Sequence, residues 1–164
     1  MVESGIIYNE GLKMFRGTLD ISMDSKSRFA MPIKFRSELI ESSQGQLVVT
    51  IDVQKKCLVL YPLLEWKKIE KRLYNLSSLD EVAQRLTRLL IGNAVDINLD
   101  KSGRLLVPAR LREYALLDKR NVLVGQLNKI QLWNLKEWHK VVEYDLFEIK
   151  KNKSILNNFK NLIL

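Results

Sequence analysis

Hydrophobic and polar side chains alternate in several short stretches of the chain, and this period of two is typical of half-buried β-strands. Residues 17–23 and 94–99 show the pattern most clearly. Two hairpins are predicted from four further strands, which are residues 46–52 with 57–61 and residues 121–126 with 129–133. Pro32 and Pro108 are each expected to open a short helix, because the first helical turn tolerates proline. Strands therefore dominate both halves of the chain.

Apolar residues three and four positions apart predict two helices between the halves, over residues 63–75 and 79–91. Ser78 followed by Glu81 has the spacing of a capping box, which predicts that the second helix starts there. After Tyr144 the sequence becomes rich in lysine and asparagine. We expect that segment to form a frayed helix or a tail.

One supersecondary unit occurs twice in the chain. Residues 20–36 align with residues 96–112 at an offset of 76, and residues 57–66 align with residues 129–138 at an offset of 72. Six pairs are identical in the first alignment: Asp20/Asp96, Ile21/Ile97, Asp24/Asp100, Arg28/Arg104, Pro32/Pro108 and Arg36/Arg112. A duplicated unit of this size is expected to bury its hydrophobic face against its copy, so the repeat predicts a pseudo-twofold arrangement.

Several residues with potential chemistry have structural interpretations. Trp66 and Trp138 occupy repeat-equivalent helix positions and are predicted to anchor a core, not to stack on bases. Cys57 is the only cysteine, which excludes an internal disulfide and predicts a buried thiol. His139 is the only histidine, and it lies on the predicted surface of a helical stretch over residues 135–146.

Composition, charge and the missing motifs exclude several classes of function. The 164 residues include 27 Lys and Arg against 19 Asp and Glu, a formal net charge of +8. The longest uncharged apolar run covers residues 57–64, too short to cross a bilayer, and the N-terminus lacks a signal-peptide pattern, so we expect a cytoplasmic protein. The glycines form neither a G-x-G-x-x-G nor a G-x-x-x-x-G-K-[ST] motif, and one histidine and one cysteine cannot form a two-histidine metal site, a thiolate zinc site or a catalytic triad. Catalysis by a pair of carboxylates stays open, because any two of the 19 acidic residues could meet in space. We predict no enzymatic activity, catalytic residue, cofactor, metal or small-molecule substrate.

Two D-x-x-x-R segments, residues 24–28 and 100–104, are the most informative feature. Asp24 and Asp100 are predicted to shape tight loops, because a short carboxylate at the start of a turn accepts backbone N–H groups. Gly103 is expected to supply a positive φ if the turn requires one. The alternative is that each Asp–Arg pair only closes a hairpin through a salt bridge.

Basic side chains collect at the same loops. Arg28 and Arg104 leave the loops, where a guanidinium group can offer its fork of donors to a phosphate or to a guanine edge. Lys26 and Lys101 add charge beside them. The segment 13–36 has a net charge of +4, from six basic and two acidic residues. These residues indicate a partner with negative charge.

Taken with the repeat, several motifs resemble the MraZ family over roughly residues 14–143. The matching segments are FRG at 15–17, DSKSR at 24–28, YPLLEW at 61–66, DKSGRLLVP at 100–108 and LWNLKEW at 132–138. The resemblance implies a β-rich α+β fold: two AbrB-like swapped-hairpin β-barrel modules packed as an intrachain pseudo-dimer with flanking helices. The implied division is an N-terminal extension (1–13), a first module (18–65), connecting helices (66–93), a second module (94–137) and a C-terminal helix and tail (138–164).

The resemblance also implies a function. Family members act as nucleoid-associated DNA-binding regulators, usually repressors of the promoter of the division and cell-wall gene cluster. They form ring-shaped homo-oligomers and recognise short tandem repeats in double-stranded DNA through the D-x-x-x-R loops. The loop arginines of the family correspond here to Arg28 and Arg104, and together with Arg16, Lys26 and Lys101 they are the predicted DNA-binding residues. The alternative is a protein-interaction scaffold of the same fold, and RNA binding is a weaker third option because no aromatic RNP-like strand is present.

Two positions depart from the family pattern. Ser27 stands where most first loops of the family have glycine, so this turn is expected to be strained or of another type, which affects the pose of Arg28. Family chains usually begin at the residue that matches Met14, and we hypothesise that residues 1–13 are a misassigned start. A native peptide that contains Val2 to Lys13 would contradict that hypothesis.

Overall fold

The computed structural model describes residues 14–163, so the hypothesis about residues 1–13 lies outside the described part of the chain. Eight strands lie within these residues: β1 (Thr18–Ser22), β2 (Arg28–Ala30), β3 (Gln46–Ile51), β4 (Leu58–Pro62), β5 (Val95–Asn98), β6 (Arg104–Leu106), β7 (Arg120–Gln126) and β8 (Lys129–Asn134). The helices are α1 (Ile33–Ser43), α2 (Leu63–Tyr74), α3 (Glu81–Gly92), α4 (Ala109–Tyr114), α5 (Leu135–Lys151) and α6 (Lys153–Ile163). The fold is therefore mixed α+β and rich in antiparallel sheet, and it divides after Asn134 into two compact units.

All eight strands lie in the first unit, where the two repeat copies are interleaved. One sheet has six strands in the order β1-β7-β8-β4-β3-β5, and a second sheet is a two-stranded ribbon of β2 and β6. Strand β1 of the first copy pairs with β7 of the second, while β5 of the second copy pairs with β3 of the first. If each strand is replaced by its equivalent in the other copy, the sheet has the same order read from its other edge.

The strand registers show the same relation at the level of single residues. In the β4–β8 ladder Val59 lies opposite Gln131, its equivalent at the offset of 72. In the ribbon Phe29 lies opposite Leu105, its equivalent at the offset of 76. Both ladders are thus centred on a pair of repeat-equivalent residues, as expected when two copies build one core together.

The hydrophobic core contains side chains from both copies. Its largest fully buried members are Phe29, Phe35, Leu39, Leu47, Leu58, Leu60, Leu111, Leu123, Ile130, Leu132, Val48 and Val49. Phe15 packs edge-on against Phe35 with ring centroids 5.5 Å apart. Neither half of the sequence could keep these side chains from water without the other half.

The start of α3 differs from the prediction. The helix begins at Glu81 with Asp80 as its N-cap, and the Asp80 carboxylate accepts a hydrogen bond from the Ala83 N–H at 3.0 Å. The Ser78 capping box is therefore wrong. The aspartate provides the same bond two residues later and adds a negative charge at the positive end of the helix dipole.

The predicted short helices are also unequal. Pro32 and Pro108 precede α1 and α4 as N-caps, but α1 continues for 11 residues whereas α4 has only 6. The first copy has four more residues between its ribbon strand and its hairpin, which is the difference between the offsets of 76 and 72. Those extra residues lengthen the helix.

The interpretations of single residues have mixed outcomes. Trp66 is buried and Cys57 is fully buried, as predicted. His139 is exposed on α5, again as predicted. Trp138 is only partly buried, so it lies less deep than its repeat equivalent Trp66, and its role as a core anchor stays a prediction.

The second unit consists of α5 and α6, so the segment after Tyr144 is helical rather than an extended tail. The apolar residues of α6 lie on one stripe, and Ile155, Phe159, Leu162 and Ile163 are exposed. Among residues 14–163 no helix is long and apolar enough to cross a membrane.

Candidate nucleic-acid interface

The first D-x-x-x-R loop is held by a single carboxylate. Asp24 Oδ1 accepts hydrogen bonds from the backbone N–H groups of Lys26 and Arg28, both at 2.9 Å. Asp24 Oδ2 accepts one from Arg28 Nε at 3.0 Å, and the Asp24 N–H donates to the Arg28 carbonyl at 2.8 Å. One short side chain thus fixes both the turn and the arginine that leaves it.

The second loop repeats this network bond for bond. Asp100 Oδ1 accepts from the N–H groups of Ser102 at 2.8 Å and Arg104 at 2.9 Å, and Oδ2 accepts from Arg104 Nε at 3.1 Å. The Asp100 N–H donates to the Arg104 carbonyl at 3.0 Å. The shared Asp and Arg positions of the repeat therefore encode one local geometry twice.

Hydrogen bonding keeps both aspartates ionised. The Arg28 N–H is the main cause that lowers the pKa of Asp24 below its ordinary value, against a smaller opposing effect of desolvation. The Arg104 N–H lowers the pKa of Asp100 in the same way. The loops consequently hold their charged form throughout the neutral range.

Both loops place their fourth residue in the left-handed region. Ser27 has a φ of 62° and Gly103 a φ of 73°. Of the two expectations for the Ser27 turn, the structure shows the strained one, because a residue with a Cβ in this region costs about 1–2 kcal/mol. The pose of Arg28 relative to its loop is the same as that of Arg104.

The ribbon connects the two loops, which lie at its opposite ends. Strands β2 and β6 pair Arg28 with Leu106, Phe29 with Leu105 and Ala30 with Arg104. Phe29 and Leu105 point into the core, each 2% exposed. Because strand side chains alternate between faces, the four flanking residues share the outer face. Arg28 and Arg104 are diagonal neighbours there, with their Cα atoms about 7–8 Å apart.

Both arginines keep donors available on this face. Their side chains are 31% and 40% exposed, and each Asp engages only the Nε atom. The terminal Nη1 and Nη2 atoms have no hydrogen-bond partner within residues 14–163. Each guanidinium group is therefore held in place at its base and can still bind an anion or a base edge with its outer edge.

Comparison with known proteins shows the family of this chain. A family model described as "MraZ protein, putative antitoxin-like" matches the chain twice, over residues 14–89 and 90–157. The transcriptional regulator MraZ of Pseudomonas aeruginosa is 54% identical over 151 residues, which are 92% of this chain and all of that relative. Proteins of the same name from Pseudomonas fluorescens and Pseudomonas syringae pv. tomato are 56% and 54% identical over the same shares.

The chain belongs to the MraZ family. Its relatives are named as transcriptional regulators, which supports a role in the regulation of transcription. MraZ is a family of regulators, not of enzymes, as the absence of catalytic motifs in the sequence predicted. Within residues 14–163, the MraZ fold of this chain contains no group of three acidic, histidine or cysteine side chains that could hold a metal.

The structure does not bring every candidate residue of this MraZ chain to the ribbon. Lys26 and Lys101 are exposed in the two loops beside the arginines. Arg16 precedes β1, whereas the first loop follows it, and the five strand residues span roughly 17 Å. Arg16 is exposed, and its neighbour Phe15 is hydrogen-bonded to Leu127. Arg16 therefore lies at the opposite end of β1 from the first D-x-x-x-R loop.

One residue beside the MraZ loops was not predicted from the sequence. Arg36 of α1 donates hydrogen bonds to the carbonyl oxygens of Lys101 at 3.2 Å and Ser102 at 3.4 Å. The available signal was its identity with Arg112 in the repeat. The identity does not predict what Arg36 binds, because its two hydrogen-bond acceptors are 65 and 66 positions away in the chain.

Proposed function

We propose that this chain is a sequence-specific DNA-binding regulator, a repressor that acts on the promoter of the division and cell-wall gene cluster. The observation that carries the proposal is that Arg28 and Arg104, each held by its own aspartate, lie on the same outer face of the ribbon. The repressor role and its target come from the MraZ resemblance. The protein would work in the cytoplasm, in association with the nucleoid and without a cofactor.

The ribbon suits the major groove of double-stranded DNA. That groove admits a two-stranded β-ribbon, and arginine is the commonest reader of guanine through its O6 and N7 atoms. The Cα atoms of the two arginines are about 7–8 Å apart, which corresponds to about two base steps along one DNA strand. Lys26 and Lys101 would contact the flanking phosphates, which supplies affinity and salt dependence.

The strand pairing supports the proposed AbrB-like architecture. In a swapped-hairpin pair, each copy contributes strands to the sheet of the other, and here β1 pairs with β7 and β3 with β5. The proposed pseudo-dimer would then present its two loops on one reading surface. A palindromic pair of contacts is the natural consequence.

The surface of α2 and α3 supports assembly into a ring of identical subunits. Tyr74 and Leu79 are each 89% exposed and Val82 is 60% exposed, beside an open cavity of about 470 Å³ between the two helices. Large exposed apolar side chains of this kind are typical of a protein contact. Several ribbons in one ring would bind tandem DNA repeats with avidity, even where each single repeat is bound weakly.

The test is a binding titration at several salt concentrations on the DNA upstream of the chain's own gene. Arg28→Ala and Arg104→Ala should each cost roughly 1–3 kcal/mol on the native sequence and relax the preference over a scrambled duplex. Arg72→Ala, which removes the same charge from α2, is the matched control and should leave the preference intact. Light scattering of the free protein tests the ring.

Equal weak binding of all duplexes by the wild-type chain would contradict the proposal. The protein-interaction scaffold would then be favoured, because the apolar surface of α2 and α3 would be the remaining candidate site. Equal loss on native and scrambled DNA in the Arg28→Ala variant would instead identify Arg28 as a phosphate contact.

A further inference from the structure

The two D-x-x-x-R loops have the same internal bonds but differ in what holds them from outside. The guanidinium group of Arg36, from α1 of the first copy, donates from Nη2 to the Lys101 carbonyl and from Nη1 to the Ser102 carbonyl. Both acceptors belong to the second loop. A side chain of one copy thus braces the loop of the other.

The repeat-equivalent Arg112 does not return the contact. Its Nη1 atom donates to the Val107 carbonyl at 2.8 Å instead. Next to the first loop lies an open cleft of about 480 Å³, lined by Arg112 together with Asp24, Ser27 and Lys119 among others. The first loop therefore borders open space, and none of the Arg112 hydrogen bonds in the described structure reaches it.

One pair of equivalent backbone hydrogen bonds agrees with tighter support of the second loop. The Met31 N–H donates to the Gly103 carbonyl at 2.8 Å, whereas the equivalent bond from Val107 to the Ser27 carbonyl is 3.4 Å long. A Cβ atom on Gly103 would lie 2.6 Å from Arg36 Nε. The second loop thus uses glycine both for its φ and to let Arg36 approach.

We propose that Arg36 is a positioning residue of the DNA-reading surface, which keeps the second loop in its binding shape before DNA arrives. This inference rests on the proposed function. Because Arg104 leaves the braced loop, it contributes most of the sequence preference. The unbraced first loop adjusts to the DNA and loses more conformational freedom on binding, so Arg28 contributes less to discrimination.

The experiment compares Arg36→Ala with Arg112→Ala, two equivalent substitutions that remove the same charge. Fluorescence anisotropy measures the Kd for a duplex from upstream of the chain's own gene and for its scrambled version. Arg36→Ala should raise the Kd for the native duplex about tenfold, as expected if a tenth of the loops keep the binding shape, and should reduce the preference over the scrambled duplex. Arg112→Ala should stay within about twofold of wild type on both duplexes.

Two more measurements separate positioning from direct contact and from general stability. Hydrogen exchange of the Ser102 and Arg104 amides in the DNA-free protein should accelerate in Arg36→Ala while the Tm stays unchanged. Arg36→Lys keeps the charge but lacks the two donor nitrogens of the planar guanidinium group. Its affinity for the native duplex should therefore lie between those of Arg36→Ala and wild type. Full recovery with lysine would identify a plain phosphate contact and overturn the inference.

The outcomes distinguish this inference from the proposed function. If the wild-type chain prefers its own DNA but Arg36→Ala and Arg112→Ala bind alike, bracing by Arg36 is overturned and the DNA-binding function stands. If the wild-type chain shows no preference, the proposed function fails, and the role of Arg36 in DNA reading fails with it. Faster amide exchange with unchanged DNA binding would likewise overturn the positioning role.

Discussion

The two D-x-x-x-R loops form the same turn with different residues at the strained position. Ser27 and Gly103 both adopt a positive φ, and both loops carry the same four hydrogen bonds around their aspartates. The aspartate and the arginine therefore define the shape, while the residue between them sets only its energetic cost. The environment separates the loops further, because Arg36 lies against Gly103, whereas Arg112 hydrogen-bonds to the Val107 carbonyl instead of to the first loop.

The largest expected effect is the loss of stability when the ribbon that carries both loops is disrupted. Phe29→Ala should destabilise the protein by about 3–5 kcal/mol, and Leu105→Ala by about 2–5 kcal/mol, because each removes a buried side chain from the centre of the ribbon. Urea denaturation measures both free energies of unfolding. Ile33→Ala, at a position 78% exposed, is the control and should cost little. Separate unfolding of the two halves, with the loss of stability confined to one of them, would contradict a core shared by both copies.

The next effect contrasts the two strained positions. Gly103→Ala should cost about 1–2 kcal/mol for its φ alone, and more because of the contact with Arg36. Ser27→Ala should change the free energy of unfolding by less than about 0.5 kcal/mol, since serine already carries a Cβ there. In an Arg36→Ala background the cost of Gly103→Ala should fall. An unchanged cost would show that the close approach of Arg36 carries no steric energy.

The sequence predicts what is local and repeated. Strand β1 was expected over residues 17–23 and spans Thr18–Ser22, because alternation is a local signal. The roles of Asp24 and Asp100 in the turns also follow from local spacing. The Arg36 contact and the pairing of β1 with β7 join residues about 65 and 100 positions apart, and no periodic pattern encodes them. The N-cap of α3 was misplaced because Ser78 and Asp80 are both good caps, and packing decides between them.

A smaller effect of opposite sign sharpens the comparison. Ser27→Gly should stabilise the protein by about 0.5–1 kcal/mol, because relief of the left-handed strain exceeds the added freedom of the unfolded chain. Thermal unfolding measures the gain as a higher Tm. Ser25→Gly, in the same loop but outside the strained position, is the control and should not stabilise. A lower Tm for Ser27→Gly would mean that the serine side chain contributes a contact that outweighs its strain.

The smallest effect concerns pH, and here the two loops should behave alike. The pKa values of Asp24 and Asp100 are both lowered in the folded state, first by the N–H groups of Arg28 and Arg104. A lowered folded pKa contributes stability that is present above the unfolded value of about 3.8 and is lost as the pH falls through the folded value. The stability difference between wild type and either Asp24→Asn or Asp100→Asn should therefore be constant from pH 5 to 8 and shrink below about pH 4. Asp96→Asn controls for the change in net charge. A difference that grows on acidification would contradict the assignment, because it would require aspartates whose folded pKa is raised.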